Sequence, residues 1–116
     1  MSRVRRSLLA ALAAGLMAVS PLSAAVNDQP SNPEIRLQDG RFQPAQLIVP
    51  AESSFKVKVT NRGPTAIEFE SFELHRERVV QPGETITVYM PPLRAGVYRF
   101  FDDFNHGTPE GTIVAR

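Results

Sequence analysis

The chain contains no cysteine, no tryptophan and only two histidines among its 116 residues. The absence of cysteine excludes a disulfide framework, a thiolate metal site and a cysteine nucleophile. Two histidines without cysteine are too few for a structural zinc site. The sequence also lacks a Gly-x-Ser-x-Gly nucleophile turn and a glycine-rich phosphate loop, so it does not support a serine triad or a phosphate-cradling enzyme. The length fits one domain.

The first 25 residues have the pattern of a secretory signal peptide. Three arginines precede an apolar run at residues 8–19, which is too short to span a bilayer and is followed by small residues. Cleavage is expected after Ala25, with Ala24 as the alternative site, and an uncleaved N-terminal anchor is the competing interpretation. The pattern predicts export to the cell envelope of a bacterium and a periplasmic location.

Processing changes the charge balance of the chain. Removing 25 residues from 116 leaves 91, with 10 basic and 12 acidic side chains and a net charge of about −2. This balance gives no reason to expect nucleic acid as a partner. No second long apolar stretch follows, so the processed chain is not expected to span a membrane. Residues 26–33 are polar and proline-rich and are predicted to form a flexible lead-in to a domain at residues 34–116.

The domain consists of short apolar segments separated by turn-forming residues. Residues 55–60 and 85–90 alternate apolar and polar side chains with the period of a half-buried strand. Five further segments are strand candidates: 35–37, 47–49, 67–69, 97–101 and 112–115. Residues 71–78 fit either one helical turn or a short strand. The pattern predicts an all-β, antiparallel Greek-key sandwich of about seven or eight strands.

Aromatic residues are the largest apolar side chains of this chain, which has seven phenylalanines and two tyrosines. A domain of this size without disulfides buries only a modest core, so these rings must supply much of it. The sequence assigns eight of them to the core: Phe42, Phe55, Phe69, Phe72, Tyr98, Phe100, Phe101 and Phe104.

The first candidate site is an acidic pair on the strand at residues 67–69. Glu68 and Glu70 are two positions apart, so both point to one face of the strand while Phe69 points to the other. With Phe69 in the core, the carboxylates lie on the outer face or at its rim. Like charges on one face repel each other, and a bound cation would relieve that repulsion. The alternative is a solvated strand face near Arg62 or Arg76.

The second candidate site is the loop that precedes the last strand. Asp102, Asp103, Asn105 and His106 bring two carboxylates, an amide and an imidazole into one short segment. Such a set offers oxygen and nitrogen ligands to a metal ion. Aspartate and asparagine are also common turn residues, so the alternative is a polar turn without a ligand.

The segment that leads into this loop resembles the metal-binding loop of cupredoxins. Residues 96–105 are similar to the pattern Gly-x-Tyr-x-Phe-x-Cys-x-x-His, with Asp102 at the cysteine position and Asn105 at the histidine position. Upstream, residues 61–69 resemble the segment that carries the other copper-binding histidine, where this chain has Ile67. The resemblance implies a cupredoxin-like fold. A type 1 copper site requires a thiolate and two imidazoles, which these positions do not supply.

A narrower resemblance covers about residues 37–116. The strings Glu-Phe-Glu-Ser at 68–71 and Phe-Phe-Asp-Asp-Phe at 100–104 are similar to the cysteine-poor cupredoxin-like domain of bacterial envelope iron-uptake systems, related to the N-terminal domain of EfeO. Members of that subfamily occur beside an iron permease and a periplasmic metal-binding partner. The resemblance implies binding of copper and/or iron as the cofactor and these two proteins as partners.

Residue by residue, the resemblance implies metal ligands at four positions: Glu68, Glu70, Asp103 and His106. The family histidine directly follows the last phenylalanine of its string, where this chain has Asn105. Either His106 enters the site through a one-residue shift of the loop, or the imidazole is lost. Asp102 and His75 rank below the four as ligands.

The expected function is a periplasmic metal-binding protein that serves ferrous-iron uptake, with oxidation of Fe(II) as its ferroxidase-like step. Two alternatives remain open. One is a periplasmic copper-sequestering protein without a redox role. The other is a metal-free module that docks a permease or a periplasmic partner.

Overall fold

The computed structural model describes Gly15 and residues 32–116. Apart from Gly15, the predicted signal peptide at residues 1–25 lies outside the described residues, as does most of the predicted lead-in at 26–33. Nine strands follow: β1 (Glu34–Gln38), β2 (Arg41–Gln43), β3 (Gln46–Val49), β4 (Phe55–Asn61), β5 (Ile67–Ser71), β6 (Arg76–Val80), β7 (Thr85–Met90), β8 (Gly96–Asp102) and β9 (Gly111–Ala115). The described part contains no helix, and hence none long and apolar enough to cross a membrane.

The strands form two sheets, which confirms the predicted all-β sandwich. One sheet has the order β2-β1-β4-β7, and the other has the order β3-β9-β8-β5-β6. The expectation of purely antiparallel pairing is wrong for two pairs, because β1 runs parallel to β4 and β3 runs parallel to β9. Between β1 and β4 the chain passes through β3 of the other sheet, and between β3 and β9 it passes through β4 and β7 of the other sheet. Because the chain crosses to the other sheet, neither pair is joined by a hairpin, and the two strands of each pair run in the same direction.

The strand count exceeds the expected seven or eight because of short segments that carry little periodic signal. Strand β2 has three residues, of which only Phe42 is buried. The uncertain stretch at residues 71–78 resolves into a turn followed by β6, where Val80 is the only fully buried residue. Both strands are defined by their pairing with neighbours, since neither has an alternating apolar pattern of its own.

The centre of the core is a group of three phenylalanines from both sheets. Phe42 and Phe100 meet edge to face with ring centroids 5.0 Å apart, and Phe69 lies 5.1 Å from Phe100. Phe100 also faces Gly111 on the neighbouring strand β9. A Cβ atom at Gly111 would overlap the Phe100 ring, so this position accepts only glycine while the ring keeps its place.

The assignment of eight aromatic residues to the core is wrong for Phe72, Phe101 and Phe104, and it is right only in part for Phe55 and Tyr98, which are half-buried and pack against the core. Phe72 is 71% exposed and Phe104 is 53% exposed, while Phe55, Tyr98 and Phe101 are half-buried. Adjacent residues on a strand face opposite sides, so Phe100 and Phe101 cannot both point inward. Phe72 lies in the turn after β5 and stacks on Phe101 on the outer face, with centroids 5.1 Å apart.

A buried asparagine holds the segment that leads into β5. Asn61 is fully buried, and its Nδ2 donates hydrogen bonds to the carbonyl oxygens of Thr65 at 2.8 Å and Val80 at 3.0 Å. Its Oδ1 accepts the N–H of Gly63 at 2.9 Å. A buried amide with every group paired fixes its surroundings strongly. Asn61 therefore ties the end of β4 to the last residue of β6, with β5 between them in the chain.

Candidate metal centre

Strand β5 lies between β8 and β6 and carries the acidic pair. Phe69 is fully buried in the core, so Glu68 and Glu70 point to the other face of the sheet, as the alternation predicts. Glu68 is only 8% exposed and Glu70 is half-buried. The alternative of a solvated strand face does not describe Glu68.

Asp103 joins this pair because β8 ends beside β5. The N–H of Asp103 donates a hydrogen bond to the carbonyl oxygen of Glu68 at 3.0 Å, which holds the first loop residue against the strand. One carboxylate oxygen each from Glu68, Glu70 and Asp103 lie within 4.8 Å of one another. Three of the residues proposed from the sequence are thus brought together from two elements that are distant in the chain. We call these three residues the acidic cluster.

Glu77 adjoins the acidic cluster and was not selected from the sequence. The register of β5 and β6 places Glu70 directly opposite Glu77, and the Glu77 carboxylate also reaches that of Glu68. Facing like charges destabilise an antiparallel pair, so this arrangement has a cost in the metal-free protein. A β-hairpin with its turn at residues 72–75 would predict that Glu70 and Glu77 pair. The sequence of residues 71–78, however, fits either one helical turn or a short strand.

Two members of the acidic cluster, Glu68 and Glu70, lack compensating charge within residues 32–116, whereas Asp103 has His106 at 3.6 Å. The Glu68 carboxylate receives no hydrogen bond from a donor group there, although the Glu68 backbone N–H is bonded. The ion pairs of this part of the chain leave Glu68, Glu70 and Glu77 without a cationic partner. Neither Arg62 nor Arg76, the two expected neighbours, forms an ion pair with them.

The crowding of carboxylates changes their affinity for protons. Burial, followed by the adjoining carboxylates of Glu77 and Glu70, raises the pKa of Glu68 from 4.5 to about 7. Burial likewise raises the pKa of Glu70, and the charges of Asp103 and Glu77 add to that effect. A cation bound among these oxygens would supply the positive charge that a proton supplies in its absence.

The two histidines lie at opposite ends of the cluster. His106 Nε2 is 3.6 Å from Asp103 Oδ1, with the imidazole 78% exposed, so the loop places His106 at the rim of the acidic cluster. His75 is exposed and shares an open cavity of about 420 Å³ with Glu70 and Glu77. His106 therefore adjoins a cluster carboxylate directly, whereas His75 shares only the cavity with Glu70.

Comparison with known proteins identifies the family. The cupredoxin-like domain family matches residues 8–115. The chain belongs to this family. A relative is the uncharacterized protein RP394 of Rickettsia prowazekii, 36% identical over 88 residues that cover 76% of this chain and 70% of the relative.

Solved structures agree with the cupredoxin-like fold. The purple cupredoxin of Nitrosopumilus maritimus superposes with a TM-score of 0.57 at 15% identity, over 73% of this chain and all of that protein. Amicyanin of Paracoccus versutus superposes with a TM-score of 0.59 at 10% identity, over 76% of this chain and 84% of its own. At these identities the likeness shows the fold alone.

The positions that match the copper-ligand pattern have other uses in this cupredoxin-like chain. Ile67 is 1% exposed and part of the hydrophobic core. Asn105 is exposed, and its Oδ1 accepts the N–H of Gly107 at 3.0 Å within its own loop. Asp102 is 2% exposed and is not one of the three grouped carboxylates. The grouped carboxylates of Glu68, Glu70 and Asp103 therefore occupy positions other than those that match the copper-ligand pattern.

The donor set of the acidic cluster defines the ions it suits. Carboxylate oxygens, with an imidazole at the rim, favour hard and borderline cations over soft ones such as Cu(I). No thiolate is available anywhere in the chain, so a blue copper centre is excluded by composition. The fold of this cupredoxin-like protein and its clustered carboxylates both suggest metal binding.

Proposed function

We propose that this cupredoxin-like protein binds copper and/or iron through Glu68, Glu70 and Asp103, with His106 at the rim, and that it serves ferrous-iron uptake in the periplasm. Glu77 is a further carboxylate available to the same ions. An iron permease and a periplasmic metal-binding protein are the proposed partners. The partners and the location are supported by the leader pattern and by the strings shared with envelope iron-uptake domains.

The observation that carries the proposal is the environment of Glu68. Glu68 is 8% exposed as a residue and its carboxylate adjoins those of Glu70 and Glu77, with no cationic partner within residues 32–116, so its negative charge is costly in the metal-free protein. Buried charges in proteins are normally paired or coordinate metals. A cation at the point where the oxygens of Glu68, Glu70 and Asp103 converge removes this cost, because it pairs all three at once.

The redox part of the proposal follows from the preference of oxygen ligands for the more highly charged ion. Carboxylates stabilise Fe(III) over Fe(II), which lowers the reduction potential of bound iron and favours its oxidation. Cu(II) bound alongside is the proposed electron acceptor. Each Fe(II) would give one electron to one Cu(II), so that every Fe(III) made available for uptake would be matched by one Cu(I).

Metal binding is tested by isothermal titration of the purified protein with Cu(II) and with Fe(III) supplied as a nitrilotriacetate complex. The double variant Glu68→Gln with Asp103→Asn keeps the side-chain shapes but removes two charges. Loss of even an outer-shell partner weakens metal sites by about 10–100-fold, so loss of two ligands is expected to exceed about 100-fold.

The control for the titration is Glu52→Gln, which removes an exposed carboxylate in the turn after β3, outside the cluster. This variant is expected to bind like the wild type. Equal binding by the wild type and the double variant would show that the cluster is not the site. Binding of neither ion by the wild type would favour the docking module.

Iron oxidation is tested separately by anaerobic stopped-flow mixing of Fe(II) with protein preloaded with Cu(II). The loss of Fe(II) is expected to be matched by an equal amount of Cu(I), and both are expected to form faster than with free Cu(II) in the same buffer. The acceleration requires Cu(II) bound at Glu68 and Asp103. The double variant should therefore oxidise Fe(II) at the rate seen with free Cu(II). Metal binding without any acceleration would instead support copper sequestration.

A further inference from the structure

We infer that Asp102 is a positioning residue that fixes the separation of Glu68 and Asp103, and that it does not bind the metal ion itself. The inference rests on the proposed function, because it concerns the geometry of the same acidic cluster. The sequence had ranked Asp102 as a weaker metal ligand. The structure gives this side chain a different set of contacts.

Asp102 stands at the junction of β5 with the loop that follows β8. Its Oδ1 accepts the backbone N–H of Glu68 at 3.0 Å and the backbone N–H of Phe104 at 3.0 Å. The N–H of Asp103 in turn donates to the carbonyl oxygen of Glu68 at 3.0 Å. The backbone N–H group and the backbone carbonyl group of Glu68 are thereby both tied to the segment that carries Asp103.

These contacts determine where the cluster oxygens lie. Glu68 comes from β5 and Asp103 from the loop, and the direct ladder between β5 and β8 consists of two residue pairs only. The Asp102 carboxylate extends that short ladder by bonding to backbone on both sides of the cluster. Because a carboxylate is a strong acceptor of N–H groups, one oxygen can hold the two segments together.

The hydrogen bonds and the placement of Asp102 argue against it as a ligand. Asp102 is 2% exposed, whereas Glu70 is half-buried and Asp103 is exposed. Its Oδ1 is already occupied by two donors, and the residue is not one of the three whose oxygens converge within 4.8 Å. Asp102 therefore acts on the metal site through the backbone of Glu68 and Asp103.

The test compares Asp102→Asn with Asp102→Ala. Asparagine keeps an oxygen that accepts the N–H groups of Glu68 and Phe104, but its amide is a poor metal ligand. Alanine can neither accept these N–H groups nor bind a metal ion. Isothermal titration with Cu(II) is the binding measurement, and the electron paramagnetic resonance spectrum of bound Cu(II) reports its ligands. Removal of an outer-shell partner lowers metal affinity by about 10–100-fold, and this is the loss expected for the alanine variant.

The expected result is rescue by the conservative variant. Asp102→Asn stays close to the wild type in Cu(II) affinity and gives the same resonance spectrum, while Asp102→Ala binds weakly. If the alanine variant does not fold, as judged by circular dichroism, Asp102→Ser replaces it with the same expected loss. The serine side chain is too short for its hydroxyl oxygen to accept the N–H groups of both Glu68 and Phe104.

Two results would overturn the inference. Loss of Cu(II) binding by Asp102→Asn, or an altered spectrum, would make Asp102 a ligand. Wild-type binding by Asp102→Ala would show that its contacts do not control the site. Both results bear on Asp102 only when the wild type binds Cu(II) and Glu68→Gln weakens that binding. A wild type that binds no Cu(II) would refute the proposed function as well.

Discussion

Replacing Phe100 by alanine is expected to lower the free energy of unfolding by about 3–5 kcal/mol. Phe100 is fully buried, and its ring packs against Phe42, Phe69 and the bare backbone of Gly111. Removal of the ring leaves a cavity between two sheets whose backbones are fixed by their ladders. Because small domains are stable by only about 5–15 kcal/mol, this variant should lose a large part of its stability.

The matched control is Phe72→Ala, which removes the same side chain from the surface. Phe72 is 71% exposed and contacts Phe101 on the outer face, so the expected loss is about 1 kcal/mol or less. Urea denaturation of both variants in EDTA measures the difference without a contribution from metal. Similar losses for the two variants would contradict the placement of Phe100 at the centre of the core.

The metal-free protein is expected to become less stable as the pH rises from 5 to 8. The pKa of Glu68 is raised to about 7 in the folded protein, from an ordinary value of 4.5. The folded state therefore binds this proton more tightly than the unfolded state. The resulting stabilisation is complete below about pH 4.5 and is lost as the pH rises through about 7. Glu70, whose pKa is also raised, contributes with the same sign.

Thermal unfolding in EDTA at constant ionic strength measures this dependence as a fall in Tm between pH 5 and pH 8. Glu68→Gln should flatten the slope and raise the Tm at pH 8, because glutamine carries no charge to repel Glu77 and Glu70. Glu34 does not interfere in this window. Burial raises its pKa, but the hydrogen bonds from Thr60 and Arg36, together with the charges of Arg36 and Arg62, lower it below 4.5.

The control variant Glu52→Gln should keep the wild-type slope. An unchanged slope in Glu68→Gln would mean that Glu68 is not the titrating group. Added cation should reverse the trend in the wild type, since carboxylates bind metal in their deprotonated form and a ligand of the folded state raises the Tm. At pH 8 without metal, Glu68→Gln should therefore have a higher Tm than the wild type. Added cation should not raise the Tm of this variant as it does that of the wild type.

The fold was largely predictable because its main strands alternate regularly. Strands β4 and β7 show the period of two that half-buried strands require, and both were predicted within a residue or two. Strand β2 was not, since a three-residue strand around Phe42 has no period to detect. The parallel pairing of β1 with β4 depends on crossings between sheets, which are not encoded in any local pattern.

The grouping of the three carboxylates was predictable in part from the sequence. Glu68 and Glu70 share a face by alternation alone, and the loop before the last strand was selected because it is rich in carboxylates. The burial of Glu68 and the approach of Glu77 could not be predicted, because both depend on which strands flank β5. The contacts of Asp102 were equally hidden, since a loop aspartate accepting backbone N–H groups looks the same in sequence as a ligand.

Among the strands of residues 32–116, β6 forms one edge of its sheet and pairs with β5 alone. An exposed edge offers unpaired backbone groups to another chain and is a common starting point for aggregation. Here the edge carries Arg76, Glu77 and Arg78 in succession, and the Arg76 guanidinium donates hydrogen bonds to the carbonyl oxygen of Tyr89 on the other sheet at 3.1 and 2.9 Å. Glu77, which borders the acidic cluster, and its neighbours Arg76 and Arg78 thus also protect this edge of the sheet from edge-to-edge association with another chain.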